Sequence, residues 1–108
     1  MELKVVLSPR NGVCYAEGIY SEGKLIVKKG GKINLNFADH IRGGKKAKSF
    51  RNDPNYVDGE GNIINECVFS SPSTAAQFVT GRSTNGYEAW RVDGNKRLGD
   101  YLKEKGLR

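Results

Sequence analysis

Cysteine, histidine and long apolar runs are what this sequence has least of, and each scarcity removes a class of protein. Two cysteines, Cys14 and Cys67, stand far apart with no Cys-x-x-Cys, and His40 is the one imidazole, so no metal site is expected. Both thiols read as reduced, part-buried small hydrophobes. Met1-Glu2-Leu3-Lys4 carries an acid and its apolar run ends at Leu7, which predicts no signal peptide, no membrane span and a cytoplasmic location. Catalytic constellations are equally scarce. Neither a nucleophile at motif spacing nor a carboxylate pair accompanies His40. Gly59-Glu60-Gly61 lacks the third glycine and following helix of a dinucleotide fingerprint. No cofactor and no enzymatic activity are expected.

What is present fits a small globular domain. The 108 residues, 37% hydrophobic with 14 glycines, are enough to bury one modest core without covalent staples, so residues 1–108 read as a single domain. Strand patterns come first. Leu3-Lys4-Val5-Val6-Leu7 is apolar and β-branched, and it stops at the turn chemistry of Ser8-Pro9-Arg10-Asn11-Gly12. Residues 13–20 alternate, with Val13, Tyr15, Glu17 and Ile19 on one side, and Gly18 suggests a bulge or a close backbone approach. Ser21-Glu22-Gly23 then turns the chain into residues 24–29, which makes a hairpin. Ile33, Leu35 and Phe37 alternate in residues 32–37 and would extend the sheet. After the turn-rich segment 53–62, residues 63–64 through 67–69 read as a further strand.

Helices follow. Residues 38–52 give a weak pattern, Ile41, Ala47 and Phe50 marking one face, with Gly43-Gly44 costing such a helix roughly 1 kcal/mol each. The stretch 72–80 is a clear helix: Ser71 is an N-cap, Pro72 sits where its missing N–H is not needed, Ala75, Ala76, Phe78 and Val79 are apolar, and Gly81 suits a left-handed C-cap. The two alanines allow close approach to a sheet or to another helix. Tyr87 to Val92 has strand propensity and ends in Asp93-Gly94. Residues 95–105 form a last helix, with Asn95 as N-cap, Leu98, Tyr101 and Leu102 at i, i+3, i+4, and Gly106 as its stop. The fold class is therefore α+β, a small antiparallel sheet made of an N-terminal hairpin plus later strands and packed against two or three short helices.

Charge is uneven along the chain. The net charge is +6, and the surplus gathers in two segments. Arg42, Lys45, Lys46, Lys48 and Arg51 form a cluster without an acid, and Lys96, Arg97, Lys103, Lys105 and Arg108 form most of another. Clustered cations are the electrostatic footprint of a polyanion-binding surface. They are also how a small domain keeps a solvated face.

Phe69-Ser70-Ser71-Pro72-Ser73-Thr74-Ala75-Ala76, then Gly81-Arg82-Ser83-Thr84-Asn85-Gly86-Tyr87-Glu88-Ala89-Trp90 and Leu98, resemble an uncharacterised bacterial domain family. That family is often found C-terminal to GIY-YIG nucleases and in restriction-modification proteins. It is itself similar to the restriction-enzyme adenine-methylase-associated module. The resemblance is specific over about residues 66–98, looser over Gly18 to Gly61, and leaves residues 1–17 outside. Tyr87 stands where the family usually has Trp after Asn-Gly. Gly18-Ile19-Tyr20 spells half of a GIY-YIG signature, but no Tyr-Ile-Gly follows, and it reads as ordinary strand. The resemblance implies DNA, including modified DNA, as ligand and a nuclease or methyltransferase as companion.

Together these features predict a non-catalytic module that contacts phosphates through Arg42, Lys45, Lys46, Lys48 and Arg51, with Arg82 alongside. Asn85 and Tyr87 are the candidates for base contact, since an amide can read an adenine edge and a flat ring can stack. Asn85-Gly86 also has the chemistry of a tight turn, and Trp90, a third aromatic candidate, reads better as a core anchor. Ser71 and Ser73 could hold a phosphate at a helix N-terminus, though capping accounts for them more simply. The alternative is a protein-interaction domain that docks on a nuclease or methyltransferase without touching nucleic acid.

Overall fold

The computed structural model describes residues 2–10, 12–37, 45–92 and 95–107. Strands β1 (Glu2–Leu7), β2 (Ala16–Ser21) and β3 (Lys24–Val27) form a meander, and β4 (Cys67–Phe69) joins the edge of β3 after helix α1 (Lys45–Arg51). Helices α2 (Pro72–Thr80) and α3 (Gly86–Ala89) follow, then β5 (Arg91–Val92), β6 (Lys96–Arg97) and helix α4 (Leu98–Glu104). The six strands lie in the order β4-β3-β2-β1-β5-β6, all paired antiparallel. The architecture is α+β, with four short helices among the described residues where the sequence pattern predicts two or three.

Register explains which face is buried. Leu3, Tyr20, Leu25 and Phe69 stand opposite one another across four strands, and so do Val5, Gly18, Val27 and Cys67. These rows point at the helices, and Val5, Leu25, Val27, Cys67 and Phe69 are all buried. The intervening row, Lys4, Ile19, Ile26 and Val68, faces the other way because side chains alternate along a strand. On that face Val68 is 52% exposed, and Ile19 and Ile26 are part-exposed. From residue 13 into β2 the core side is Cys14, Ala16 and Gly18, so Val13, Tyr15 and Glu17 form the outer side. Gly18 is not a bulge: its register is continuous, and it is a close approach, since a Cβ there would lie 2.8 Å from the Ile26 carbonyl oxygen.

Helix α2 forms as its sequence predicts. Ser71 Oγ accepts from the Thr74 amide at 3.2 Å, Pro72 opens the helix, and Gly81 closes it at φ 73° with its N–H donated to Gln77 O. Gly81 is also confined, since a Cβ would sit 2.0 Å from the Asn36 oxygen. Ala75, Ala76, Phe78 and Val79 are fully buried against the sheet. Phe78, Phe69 and Phe50 pack as a ring cluster, with centroids 5.3 Å apart for Phe69 and Phe78 and 5.1 Å for Phe50 and Phe69. Such pairs each contribute about 1 kcal/mol beyond area burial.

Four local expectations give way to tertiary pairing. Residues 32–37 are not a strand, because their backbone groups are used separately: Lys32 bridges Tyr15, Ile33 N–H donates to Gly61 O, and Asn34 N–H donates to Val79 O. Leu35 is consequently 64% exposed. The strand predicted through 63–69 shortens to β4, with Ile63 in an isolated bridge to Val57. Residues 87–92 begin as helix α3, because Asn85 Oδ1 accepts from the Tyr87 amide at 3.0 Å and turns the chain, leaving β5 only two residues. The last helix starts at Leu98 rather than Asn95, since Lys96 and Arg97 pair with β5 first. Helix α1 confirms only the end of the weak 38–52 pattern, and Ile41, His40 and the Asp93-Gly94 turn lie outside the described residues.

Candidate functional site

The first basic cluster divides into two kinds of residue. Ala47 is fully buried and Phe50 packs on Tyr56 and Phe69, so α1 rests on its 47/50 side. Lys45, Lys46 and Lys48 are left exposed, and none forms an ion pair with a described residue. Lys46 Nζ lies 5.2 Å from the Phe50 ring centre.

Arg51 belongs to the interior instead. Its guanidinium donates to the carbonyl oxygens of Phe78 and Asn34, reaches Asn36 O at 3.5 Å, and stacks 4.8 Å over the Phe37 ring. Burial lowers its pKa to about 10. With two of its three guanidinium nitrogens directed at backbone carbonyls, Arg51 has a structural role that competes with the phosphate contact predicted for it. Arg42 lies outside the described residues.

Two cations of the second cluster have an acidic neighbour, while exposed Lys103 forms no ion pair with a described residue. Lys96 pairs with Glu104, Arg97 Nη1 lies 4.0 Å from Glu88, and Lys105 sits 5.6 Å over the Tyr101 ring. Arg108 is outside the described residues.

The Asn-Gly bend is structural in most of its contacts. Asn85 caps α3, and Gly86 presses on α2, where its amide donates to Ser73 Oγ at 2.9 Å and a Cβ would lie 2.1 Å from the Pro72 carbonyl carbon. Ser71 and Ser73 are thus both engaged with protein groups. Trp90 is fully buried and donates Nε1 to Pro72 O at 3.0 Å, which makes it the core anchor and removes it as a base contact. Tyr87 is half-buried, edge-on to Tyr20 at 6.4 Å. Asn85 and Tyr87 border a small cleft of about 170 Å³ that also contains Glu88, Asp100, Arg97 and Lys103, a mixed-charge setting. The bend rests on the first turn of α2, whereas Arg51 is fixed to its last turn at Phe78.

A larger feature has no counterpart in the sequence motifs. β1 and β5 share one residue pair, Val6 opposite Arg91. Beyond it Ser8-Pro9-Arg10 leaves the sheet, and a groove of about 920 Å³ opens towards Thr80 and Thr84. Lys4, Arg10 and Arg91 line it, and none of its described lining residues is acidic. Exposed Arg82 lies between the two threonines: its amide donates to Thr80 Oγ1 at 3.2 Å, and Thr84 Oγ1 donates to its carbonyl at 2.9 Å. The three lining cations are single residues in separate segments, so only the alternation of β1, which turns Lys4 away from the core, hints at them in sequence.

Among the described residues no group of three or more His, Cys, Asp or Glu could hold a metal ion. No helix there is long and apolar enough to cross a membrane. A family model described as "Domain of unknown function (DUF4357)" matches residues 7–102. It therefore takes in β2 and the end of β1, upstream of the motifs that carry the resemblance. No curated protein and no solved structure matches the chain.

Proposed function

The chain belongs to the DUF4357 family, and from that premise we propose that it is a non-catalytic module that binds DNA, working beside a nuclease or methyltransferase of a restriction-modification system. The observation that carries this reading is the contrast between the two basic clusters. Lys45, Lys46 and Lys48 project from α1 and form no ion pair with a described residue, whereas Lys96 and Arg97 face Glu104 and Glu88. Unpaired, solvated cations gain counterion-release free energy from phosphates; paired ones must first give up a carboxylate. Arg82, exposed on its hydroxyl-braced turn, adds a further cation. Asn85 and Tyr87 remain the side chains offered for base contact or for sensing a modified base.

Binding to methylated and unmethylated duplexes and to single strands, measured at two salt concentrations, tests this. Affinity should fall steeply with salt, and replacing Lys45, Lys46 and Lys48 by Gln should flatten the logarithmic salt slope by roughly one unit per lost contact. Absence of binding at low salt overturns the reading.

A second reading has its own support. The outer side of the sheet presents Ile19, Ile26 and Val68 in one row, a surface suited to docking on the companion enzyme without nucleic-acid contact. Association through that face would be nearly insensitive to salt.

A further inference from the structure

We infer that the groove between the end of β1 and the α2–α3 connection takes the phosphodiester backbone of a nucleic acid, an inference that rests on the DNA-binding reading and assigns it a second contact surface. The charge pattern is one-sided. Lys4, Arg10 and Arg91 line the groove, and no described residue there is acidic, in a protein where the other described cleft mixes Glu88 and Asp100 with Arg97 and Lys103. Neither Lys4 nor Arg10 forms an ion pair with a described residue, and both are exposed. Arg91 is held in place by donating Nη1 to Asn95 O at 3.3 Å.

Hydrogen-bonding groups accompany the cations. Ser8 and Asn95 are on the walls, and hydroxyl and amide groups are the usual neutral partners of phosphate oxygens; the hydroxyls of Thr80 and Thr84, also on the walls, donate to the Ala76 and Arg82 carbonyls and brace the turn that carries Arg82. Between them Val6, Ala89 and Val92 supply apolar surface. Sequence-tolerant sites hold a strand in a positively charged groove that follows the phosphates, with uncharged and most often aromatic surface under the bases; here that surface is aliphatic.

Geometry favours an extended ligand over a compact one. Lys4 and Val6 lie two residues apart on the outer side of β1, about 7 Å along the strand, and Ser8 follows its end. Arg10 lies in the turn beyond the end of β1, and Arg91 stands opposite Val6 on β5. This places cations on both banks of a channel open to solvent. Arg82 lies beside it through the Thr80 and Thr84 hydroxyls, which gives that residue a role that α1 does not share.

The test compares wild type with Lys4→Gln/Arg10→Gln/Arg91→Gln, and with a Lys45→Gln/Lys46→Gln/Lys48→Gln variant. Fluorescence anisotropy follows a short labelled oligonucleotide, as single strand and as duplex, at about 50 and 200 mM salt. The groove variant should bind at least roughly tenfold more weakly at the lower salt, with a slope flatter by about two to three. Loss on the single strand alone, or on both forms, identifies which source of phosphodiester enters the groove. Because Arg91 is partly buried, the exposed pair Lys4→Gln/Arg10→Gln serves as a second variant should the triple one fail to fold, and its slope should flatten by about two. If wild type binds but the groove variants bind equally well, this inference falls and the DNA-binding reading stands on α1. If wild type binds no oligonucleotide, both fall, and capture of polyglutamate in its place would overturn both in favour of an acidic protein ligand.

Discussion

The indole of Trp90 reaches across the helical layer to Pro72: Nε1 donates to the carbonyl oxygen at 3.0 Å, from a side chain with no solvent exposure. One bond thus ties the residue that precedes β5 to the first turn of α2, eighteen positions earlier in the chain.

That tie sets the first prediction. Trp90→Phe keeps much of the ring volume but removes the donor, and should cost about 1–3 kcal/mol. Trp90→Ala adds a cavity and should cost about 3–5 kcal/mol. Urea denaturation measures both. Trp90 is the only tryptophan, so wild-type emission should be blue-shifted and move to longer wavelength in the same transition.

The α2–α3 contact gives the second. Gly86→Ala places a methyl 2.1 Å from the Pro72 carbonyl carbon and 2.4 Å from the Ser73 nitrogen, backbone atoms that have no rotamer in which to yield. A loss of about 3 kcal/mol or more is expected. Gly59→Ala meets nothing within 4 Å and should stay within about 0.5 kcal/mol of wild type. Equal melting temperatures for the two variants would contradict the packing described.

Arg51 supplies the third. Its guanidinium binds the Phe78 and Asn34 carbonyls together, so Arg51→Ala should destabilise by about 2–3 kcal/mol. Arg51→Lys should recover only part of that, because an ammonium cannot reproduce the planar fork. Lys45→Gln and Lys48→Gln, on the exposed side, should be near neutral in the same denaturation assay.

The buried thiols give a pH prediction. Burial pushes the Cys67 thiol up to about 12, with the charge of Asp53 adding to the effect, and burial raises Cys14 as well, partly offset by Arg51. In the unfolded chain Cys67 would ionise near 9.0. Above that pH the unfolded state gives up a proton that the native state keeps, so this contribution is intact below pH 9 and declines towards pH 12. Arg51, lowered to about 10, acts in the opposite sense at higher pH. The thiol is therefore isolated by comparing wild type with Cys67→Ala: urea midpoints should fall less steeply above pH 9 in the variant. Thiol reagents at pH 8 should leave both cysteines unmodified until denaturant is added.

Legibility followed the range of the interactions involved. The hairpin joining β2 and β3 and the whole of α2, with Ser71, Pro72 and Gly81 in their capping positions, were readable because the determining groups lie within four residues of one another. Residues 32–37 misled because alternation was present but the hydrogen-bond partners were Tyr15, Gly61 and Val79, none of them local. For the candidate site, the exposure of Lys45, Lys46 and Lys48 followed from the helical position of Ala47 and Phe50. The groove left almost no local trace, since Lys4, Arg10 and Arg91 meet only because β5 returns to pair with β1.

By itself, then, the sequence determined an α+β chain with an excess of cations, two inward thiols and one firmly capped helix, all consequences of residue type and short-range spacing. Only the tertiary structure decided which cations are available to a ligand. Arg51 and Lys48 are three positions apart and alike in charge, yet Arg51 is consumed by carbonyls 17 and 27 residues away while Lys48 stays in water. A charge is free or engaged according to what the fold brings within hydrogen-bond reach of it, and no pattern of near neighbours carries that information.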